Sequence, residues 1–346
     1  MKNQFLLLLV VVFLFTGCNT STKKTQEDNT PSKISIIFET DMGNDVDDAL
    51  ALDMLYKYIE MGDINLLGIS TNKDSPYSIE FMDLMNTWYG HADLAMGKIT
   101  KGADCENDAT NYAKATCLYQ EDGKSPFERT YTDYSGIPEA PQFYRELLAK
   151  QPDNSVVLVS VGFSTNIARL LDTPADNFSP LTGKELVAKK VKLLSMMAGN
   201  IVDSTMKEYN VVKDIPAAQK IFNEWPTPIV ISPFDVGIAI LFPATVIENN
   251  LEYASPNPLR IAYESYLKMP YDRPTWDLTS VLYAVEGTKN YFNISEWGRI
   301  VVDDEAHTRF YPEQNGKHAY LSVSKEQAET VKNRLIELVS IKPQNK

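Results

Sequence analysis

Cysteine and histidine are both scarce in this sequence, with three of each among 346 residues. A disulfide scaffold needs more cysteine than that, and a histidine-rich metal centre needs more histidine. Positive charge is also short. The 33 Lys and Arg residues stand against 46 Asp and Glu, a formal net charge of −13. Such a surface repels phosphate backbones, which excludes nucleic acid as a general partner. Long apolar runs are missing too. FLLLLVVVFLF at 5–15 is too short to span a membrane as a helix. Hydrophobic residues at 44% and charged residues at 23% give the balance of a globular chain, long enough for one large α/β domain. Any chemistry then falls to carboxylates.

The first residues read as a targeting segment. Lys2 precedes the apolar run, and Phe15-Thr16-Gly17-Cys18 closes it. Small residues before a cysteine resemble the lipobox of a bacterial lipoprotein, although Leu14 sits one place from the usual aliphatic position. The resemblance implies a signal peptide over 1–18 and lipidation of Cys18. It places the protein outside the cytoplasm, lipid-anchored on the periplasmic or surface side of a bacterial membrane. Cleaved secretion without a lipid is the plainer alternative. Residues 19–32 are polar and aperiodic and read as a flexible tether, which leaves 33–346 as the folded domain. In an oxidising compartment Cys105 and Cys117 could bridge across a polar loop; two free thiols are the alternative.

From residue 33, short buried strands alternate with amphipathic helices. Strands are expected at 34–38, 64–70, 156–161, 191–197 and 228–232, and helices at 49–59, 79–89 and from 165 to 171. This alternation predicts an α/β fold with a Rossmann-like, mainly parallel sheet flanked by helices. Ligands in such folds bind beyond the carboxyl ends of the strands, and each strand end here is polar. Glu39, Asp41, Asn44, Asp45, Asp47 and Asp48 follow the first strand. Thr71, Asn72 and Asp74 follow the second. Ser164-Thr165-Asn166 and Gly199-Asn200 follow later ones. The polar stretch 98–137 is long for a connection and reads as a lid or an edge insertion.

The loop from Glu39 to Asp48 holds five carboxylates in ten residues. A solvated loop or helix N-terminal acids would be the plain reading, since Asp47 and Asp48 open a helix. Capping needs one acid, however, and crowded carboxylates resist ionisation without a cation. An all-oxygen donor set points to Ca²⁺ or Mg²⁺ rather than Zn²⁺.

Strand, then Asp41…Gly43…Asp47-Asp48-Ala49, then an apolar helix, resembles the signature of the nucleoside hydrolases, the inosine-uridine preferring family, whose motif is Asp-x-Asp-Pro-Gly-x-Asp-Asp. Glu39 stands for the first Asp, Met42 for Pro, and two extra residues fall between Gly43 and Asp47. Further segments are similar in order: Gly68-Ile69-Ser70-Thr71-Asn72, Val161-Gly162-Phe163-Ser164-Thr165-Asn166-Ile167-Ala168, Met196-Met197-Ala198-Gly199-Asn200, Glu208-Tyr209-Asn210, and Trp276-Asp277 followed by Ala284.

The resemblance implies the nucleoside hydrolase fold and a calcium-dependent hydrolysis of the N-glycosidic bond of ribonucleosides, in salvage. It implies Asp41, Asp48, Asp277 and the Val161 carbonyl as calcium ligands and Asp41 as the general base. Asp47, Asn72, Asn200, Glu208 and Asn210 would hold the ribose, with Asp45 competing with Asp47 for that role. A homo-oligomer is implied by the same resemblance.

The resemblance implies that Trp276 meets the leaving base, since it stands where pyrimidine- and inosine-acting members carry His. A Trp there resembles the purine-specific branch, in which stacking raises the base's proton affinity. Tyr112, Tyr119 and Phe127 in the 98–137 segment are candidates for a second stacking residue, and His91, His307 and His318 read as structural. A non-catalytic nucleoside- or sugar-binding lipoprotein and a hydrolase of another ribosyl compound are the competing readings.

Overall fold

The computed structural model describes residue 1 and residues 33–103, 111–203 and 205–346. Cys18, the tether and Cys105 lie outside the described residues. Residues Lys33–Lys346 form one compact unit.

The first strand, β1 (Ile34–Thr40), explains the architecture. Ile36 and Phe38 enter a core on one face, Ile37 enters a separate core on the other, and all three are fully buried. A strand covered on both faces reads as a near-continuous apolar run rather than an alternation, which is why ISIIF carries no period of two; Glu39 and Thr40 end the strand and are buried as well. The same division recurs in β4 (Val156–Val161), where Val157 and Val159 face the first core and Val156 and Leu158 the second.

Between them in the chain come β2 (Ile64–Thr71) and β3 (Met96–Gly97), and after them β5 (Val191–Met197) and β6 (Ile229–Ser232). β7 (Leu241–Phe242) and β8 (Arg273–Pro274) form a small antiparallel pair. β9 (Asn293–Ile294), β10 (Gly298–Val302), β11 (Thr308–Pro312) and β12 (His318–Ser322) complete the strands among the described residues. The main sheet runs β11-β10-β12-β6-β5-β4-β1-β2-β3, with β9 beside β12. The order is parallel from β12 through β3, and β10 and β11 add an antiparallel margin. This is the α/β class that the alternation predicted.

The winding reverses at β1, which pairs with β2 on one side and β4 on the other. Loops leaving the carboxyl ends of β1 and β4 therefore diverge and open a crevice at that point.

The helix after β1 runs Asp47–Met61, two residues longer at each end than its apolar spacing suggests. Its first turn holds Asp47 and Asp48, favoured by the free N–H groups there, and Gly62 ends it at φ 84°. Burial of its Leu and Met side chains contributes about 1.5–3 kcal/mol each. The helix Pro76–Tyr89 starts on Ser75, whose side chain accepts from the Tyr77 N–H.

Within 98–137 the described residues pack onto this second helix. Arg129 Nε lies 2.7 Å from Glu80, and its Nη2 donates to the Cys117 carbonyl at 2.7 Å. Cys117 is a buried thiol directed at the Tyr77 carbonyl; the Cys105 side of the bridge weighed for an exported chain lies outside the described residues. Among the described residues no helix is long and apolar enough to cross a membrane.

Candidate active site

A cavity of about 140 Å³ opens at the β1/β4 reversal. Asp41, Asp47, Val161, Glu208, Asn210, Trp276 and Asp277 all line it, joined by Asp45, Met197, Met206, Lys207, Tyr209 and Phe234. Residues spread from 41 to 277 meet because each follows a strand of the parallel sheet or caps a helix beside it. A larger hollow of about 440 Å³ lies between the β7 region and the helix Lys325–Val339, but it gathers none of the residues at these strand ends.

The carboxylates are deeply placed. Asp41, Asp47, Asp48 and Asp277 are each at most 4% exposed. Burial pushes Asp41 up to about 7, with Asn44 opposing it, and pushes Asp47 up to about 6 against Arg273. Burial and then mutual repulsion drive Asp48 and Asp277 well above the usual carboxylate range. Asp47 Oδ2 accepts the Asp277 N–H at 3.1 Å, which ties the acidic loop to the helix Trp276–Glu286.

These donors suit a hard divalent cation. They are all oxygen, their repulsion calls for positive charge, and Asp48 Oδ2 is buried without a partner. Thr40 Oγ1 donates to Asp48 Oδ1 and Asn44 donates to Asp41 Oδ2. Among the described residues no three such side chains close around one point.

The residues expected at the sugar divide into two groups. Glu208 lines the cavity and caps the helix Tyr209–Lys213, accepting from Gly199, Asn210 and Val211 N–H groups at 3.0, 2.8 and 3.2 Å. Burial still raises its pKa. Asn210 lines the cavity beside the Met197 carbonyl, to which its amide donates at 3.3 Å. Asn72 and Asn200 do not line it. Asn72 is buried behind Gly162 with both amide atoms unpaired. A Cβ on Gly162 would stand 2.4 Å from Asn72 Oδ1 and 2.7 Å from the Asp41 nitrogen, so only glycine fits there. Asn200 turns into its own loop, accepting the Asp203 N–H at 2.9 Å and meeting Met206 Sδ.

Trp276 is half-buried on the cavity wall and donates its indole N–H to the Phe234 carbonyl at 3.1 Å. The Phe234 ring lies 5.2 Å from the indole, tilted by 31°. Tyr112, Tyr119 and Phe127 are not at the cavity, which corrects the search for a second aromatic in 98–137. Tyr112 is buried against Phe81 and the Met42 sulfur, and Tyr119 and Phe127 form a small cluster with Leu84 and Ile261. His318, on β12 beside β10, is buried and accepts the Ile300 N–H at 2.9 Å, and His91 stacks on Tyr56.

The sequence profile of the inosine-uridine preferring nucleoside hydrolases matches residues 36–332. The chain belongs to this family. Membership makes it a nucleoside N-ribohydrolase, an enzyme that cleaves the bond between base and sugar. Comparison with curated proteins finds no significant sequence match. Solved structures agree in fold. A purine-preferring ribonucleoside hydrolase from Gardnerella vaginalis superposes with a TM-score of 0.67 at 18% identity, covering 89% of this chain and 100% of that one. A plant nucleoside hydrolase gives 0.67 at 15% identity, covering 90% and 100%. An inosine-uridine preferring nucleoside hydrolase from Bacillus anthracis gives 0.65 at 16%, covering 88% and 99%.

Several residues of this hydrolase site escaped the sequence reading. Phe234 lies two residues past the end of β6, so the strand-end rule applied once more would have found it. Lys73 follows Asn72 but carries no motif. Arg273 sits three residues before Trp276 and signals nothing by itself. In the structure it pairs with Asp45 and Asp47 and stacks on Tyr266 at 4.8 Å and Trp276 at 5.0 Å.

Proposed function

We propose that this hydrolase acts on purine ribonucleosides, with Ca²⁺ as its metal, to release free base and ribose. The observation that carries the reading is one cavity in which Asp41, Asp47 and Asp277 face Trp276 and Phe234. Carboxylates suit a polar sugar and cation, and the aromatic pair suits a flat base. The purine preference of the Gardnerella vaginalis neighbour supports the same substrate class.

Asp41, Asp48, Asp277 and the Val161 carbonyl would hold the ion. When bound it supplies Lewis acidity and an anchor for sugar oxygens. Asp41 takes a proton from the attacking water, whose oxygen bonds to C1′. The C1′–N bond breaks, its electron pair passes to the base nitrogen, and the base gains a proton from solvent. Asp47 and Asn210 hydrogen-bond the ribose hydroxyls and fix the ring on the way to an oxocarbenium-like sugar, while Asn72 stays buried behind Gly162 and supports the loop from below. Glu208 retains acceptor capacity for a hydroxyl beyond its three backbone donors. Asn200 holds the loop that delivers Glu208. Trp276 stacks on the base and favours its protonated form.

We further propose, on the lipobox-like Phe15-Thr16-Gly17-Cys18 segment and the family resemblance, that the enzyme is exported and lipid-anchored through Cys18, with a tether over 19–32 and a hydrolase domain at 33–346 working as a homo-oligomer. Metabolic labelling of wild type and Cys18→Ser with a fatty-acid probe tests the anchor. Product analysis after incubation with inosine, adenosine, guanosine, uridine and cytidine tests the activity. Purine base and free ribose are the expected products, and saturable binding without cleavage would reduce the chain to a capture protein.

A further inference from the structure

The loop that departs from the family motif holds a buried amide in a fixed orientation. Lys73, Asn44 and Asp41 are 0%, 7% and 4% exposed. Lys73 Nζ lies 2.7 Å from Asn44 Oδ1. An ammonium donates and never accepts, so this contact decides which end of the carboxamide faces the lysine. The NH₂ end must then point away from it. It donates to Asp41 Oδ2 at 2.5 Å. Asn44 is one of the residues between Gly43 and Asp47 where the loop is longer than the family motif.

Two local features hold the lysine and the loop together. Thr71 Oγ1 accepts the Lys73 N–H at 3.1 Å and donates to the Lys73 carbonyl at 3.0 Å, fixing the backbone just past β2. Gly43 has φ +113°, a conformation for glycine, and a Cβ there would come within 3.6 Å of Lys73 Nζ and 3.2 Å of Asn111 Oδ1. The loop thus lies directly on the lysine.

We infer that Lys73 and Asn44 are positioning residues that hold the Asp41 carboxylate in one orientation for proton abstraction, an inference that rests on Asp41 being the general base. Lys73 orients Asn44, Asn44 orients Asp41, and neither meets the substrate. A buried carboxylate free to rotate would spend its time away from the reacting water, and misplacement of that kind costs turnover more than binding.

Steady-state kinetics on inosine with a double-mutant design tests this. Asn44→Ala should lower kcat by about ten- to a hundredfold with KM changed by less than about threefold. Asn44→Asp should lose at least as much, since it puts an oxygen where the donor stood. In an Asp41→Asn background the Asn44→Ala loss should vanish. Lys73→Met should reproduce Asn44→Ala, Lys73→Arg should restore most of the turnover, and Lys73→Met with Asn44→Ala should be no worse than Asn44→Ala alone. NMR supplies a readout independent of turnover: the Asn44 side-chain amide protons should exchange slowly in wild type and Lys73→Arg and rapidly in Lys73→Met.

If Asn44→Ala keeps full kcat while Asp41→Asn is inactive, the relay is wrong and the base assignment stands. Additive losses from Lys73 and Asn44 would also overturn it. If Asp41→Asn itself keeps its turnover, the base assignment falls, and the positioning role falls with it. Should Lys73→Met fail to fold, the Asn44 variants carry the test, because they leave the lysine in place.

Discussion

Arg273 Nη2 lies 2.6 Å from Asp45 Oδ1, and the same nitrogen stands 3.5 Å from Asp47 Oδ1. One guanidinium from β8 thus closes over the acidic loop after β1. Tyr266 adds its hydroxyl to the same Asp45 oxygen at 2.8 Å. The contact separates the two aspartates: Asp45 is a half-exposed partner of Arg273, and Asp47 is buried against the helix bearing Asp277.

Arg273→Ala should therefore loosen the loop and the indole together. Removing one member of a largely buried pair costs about 3–5 kcal/mol when both charges are dry, and the exposure of Asp45 reduces that to about 2 kcal/mol. Chemical denaturation should show the loss. A kcat/KM reduced at least about tenfold should accompany it, since both Asp47 and Trp276 lose a neighbour. Lys at this position keeps the charge without the planar fork and should recover only part of either quantity.

Trp276→Ala should lower purine turnover more than it weakens binding. Aromatic stacking contributes about 0.5–1.5 kcal/mol beyond burial, roughly three- to tenfold, and strengthens as the base gains a proton. Turnover on a purine and pyrimidine panel checks this for wild type and variant. A wild type that prefers uridine, or a variant that only raises KM, would remove Trp276 from leaving-group activation.

Asp41→Asn should reduce kcat by about 10²–10⁴ while circular dichroism stays unchanged. The two side chains have the same shape, so the loss would report proton transfer and charge rather than packing. Near-normal turnover would shift the base to Asp45 or Asp47.

Calcium removal should abolish activity and calcium addition should restore it. Asp48→Ala should weaken calcium binding measured by isothermal titration, because it deletes a buried carboxylate that has an unpaired oxygen. Full activity in the presence of a chelator would reject the cluster as a metal centre.

His318 should make stability fall in mild acid. Its Nδ1 accepts the Ile300 N–H, and burial, reinforced by Arg299, lowers its pKa from about 6.5 to about 4. The unfolded chain takes up this proton first. Stability from the neutral ring is therefore complete above about pH 6.5 and is lost as pH falls toward 4, by at most about 1.4 kcal/mol per pH unit. His318→Asn keeps an acceptor and cannot titrate. Denaturation of both proteins between pH 7 and 4 should show a steeper decline in wild type.

The sequence by itself determined the α/β class, most strand positions and the carboxylate chemistry. Strands buried on both faces are mostly apolar, and polar residues such as Glu39 and Asp41 gather where β1 ends, as Gly199 and Asn200 do after β5. Local order carries that information. Only the tertiary structure decided which side chains share the cavity. Phe234 rather than Tyr112, Tyr119 or Phe127 stands beside Trp276, because β6 ends at the crevice while the 98–137 segment packs onto the helix Pro76–Tyr89. Arg273 reaches Asp45 and Lys73 reaches Asn44 because the fold crosses those segments at one point. No periodicity or spacing in the chain encodes such crossings. They depend on how the loops beyond β1 and β2 and around β8 meet, which is a property of the packed sheet and not of any segment within it.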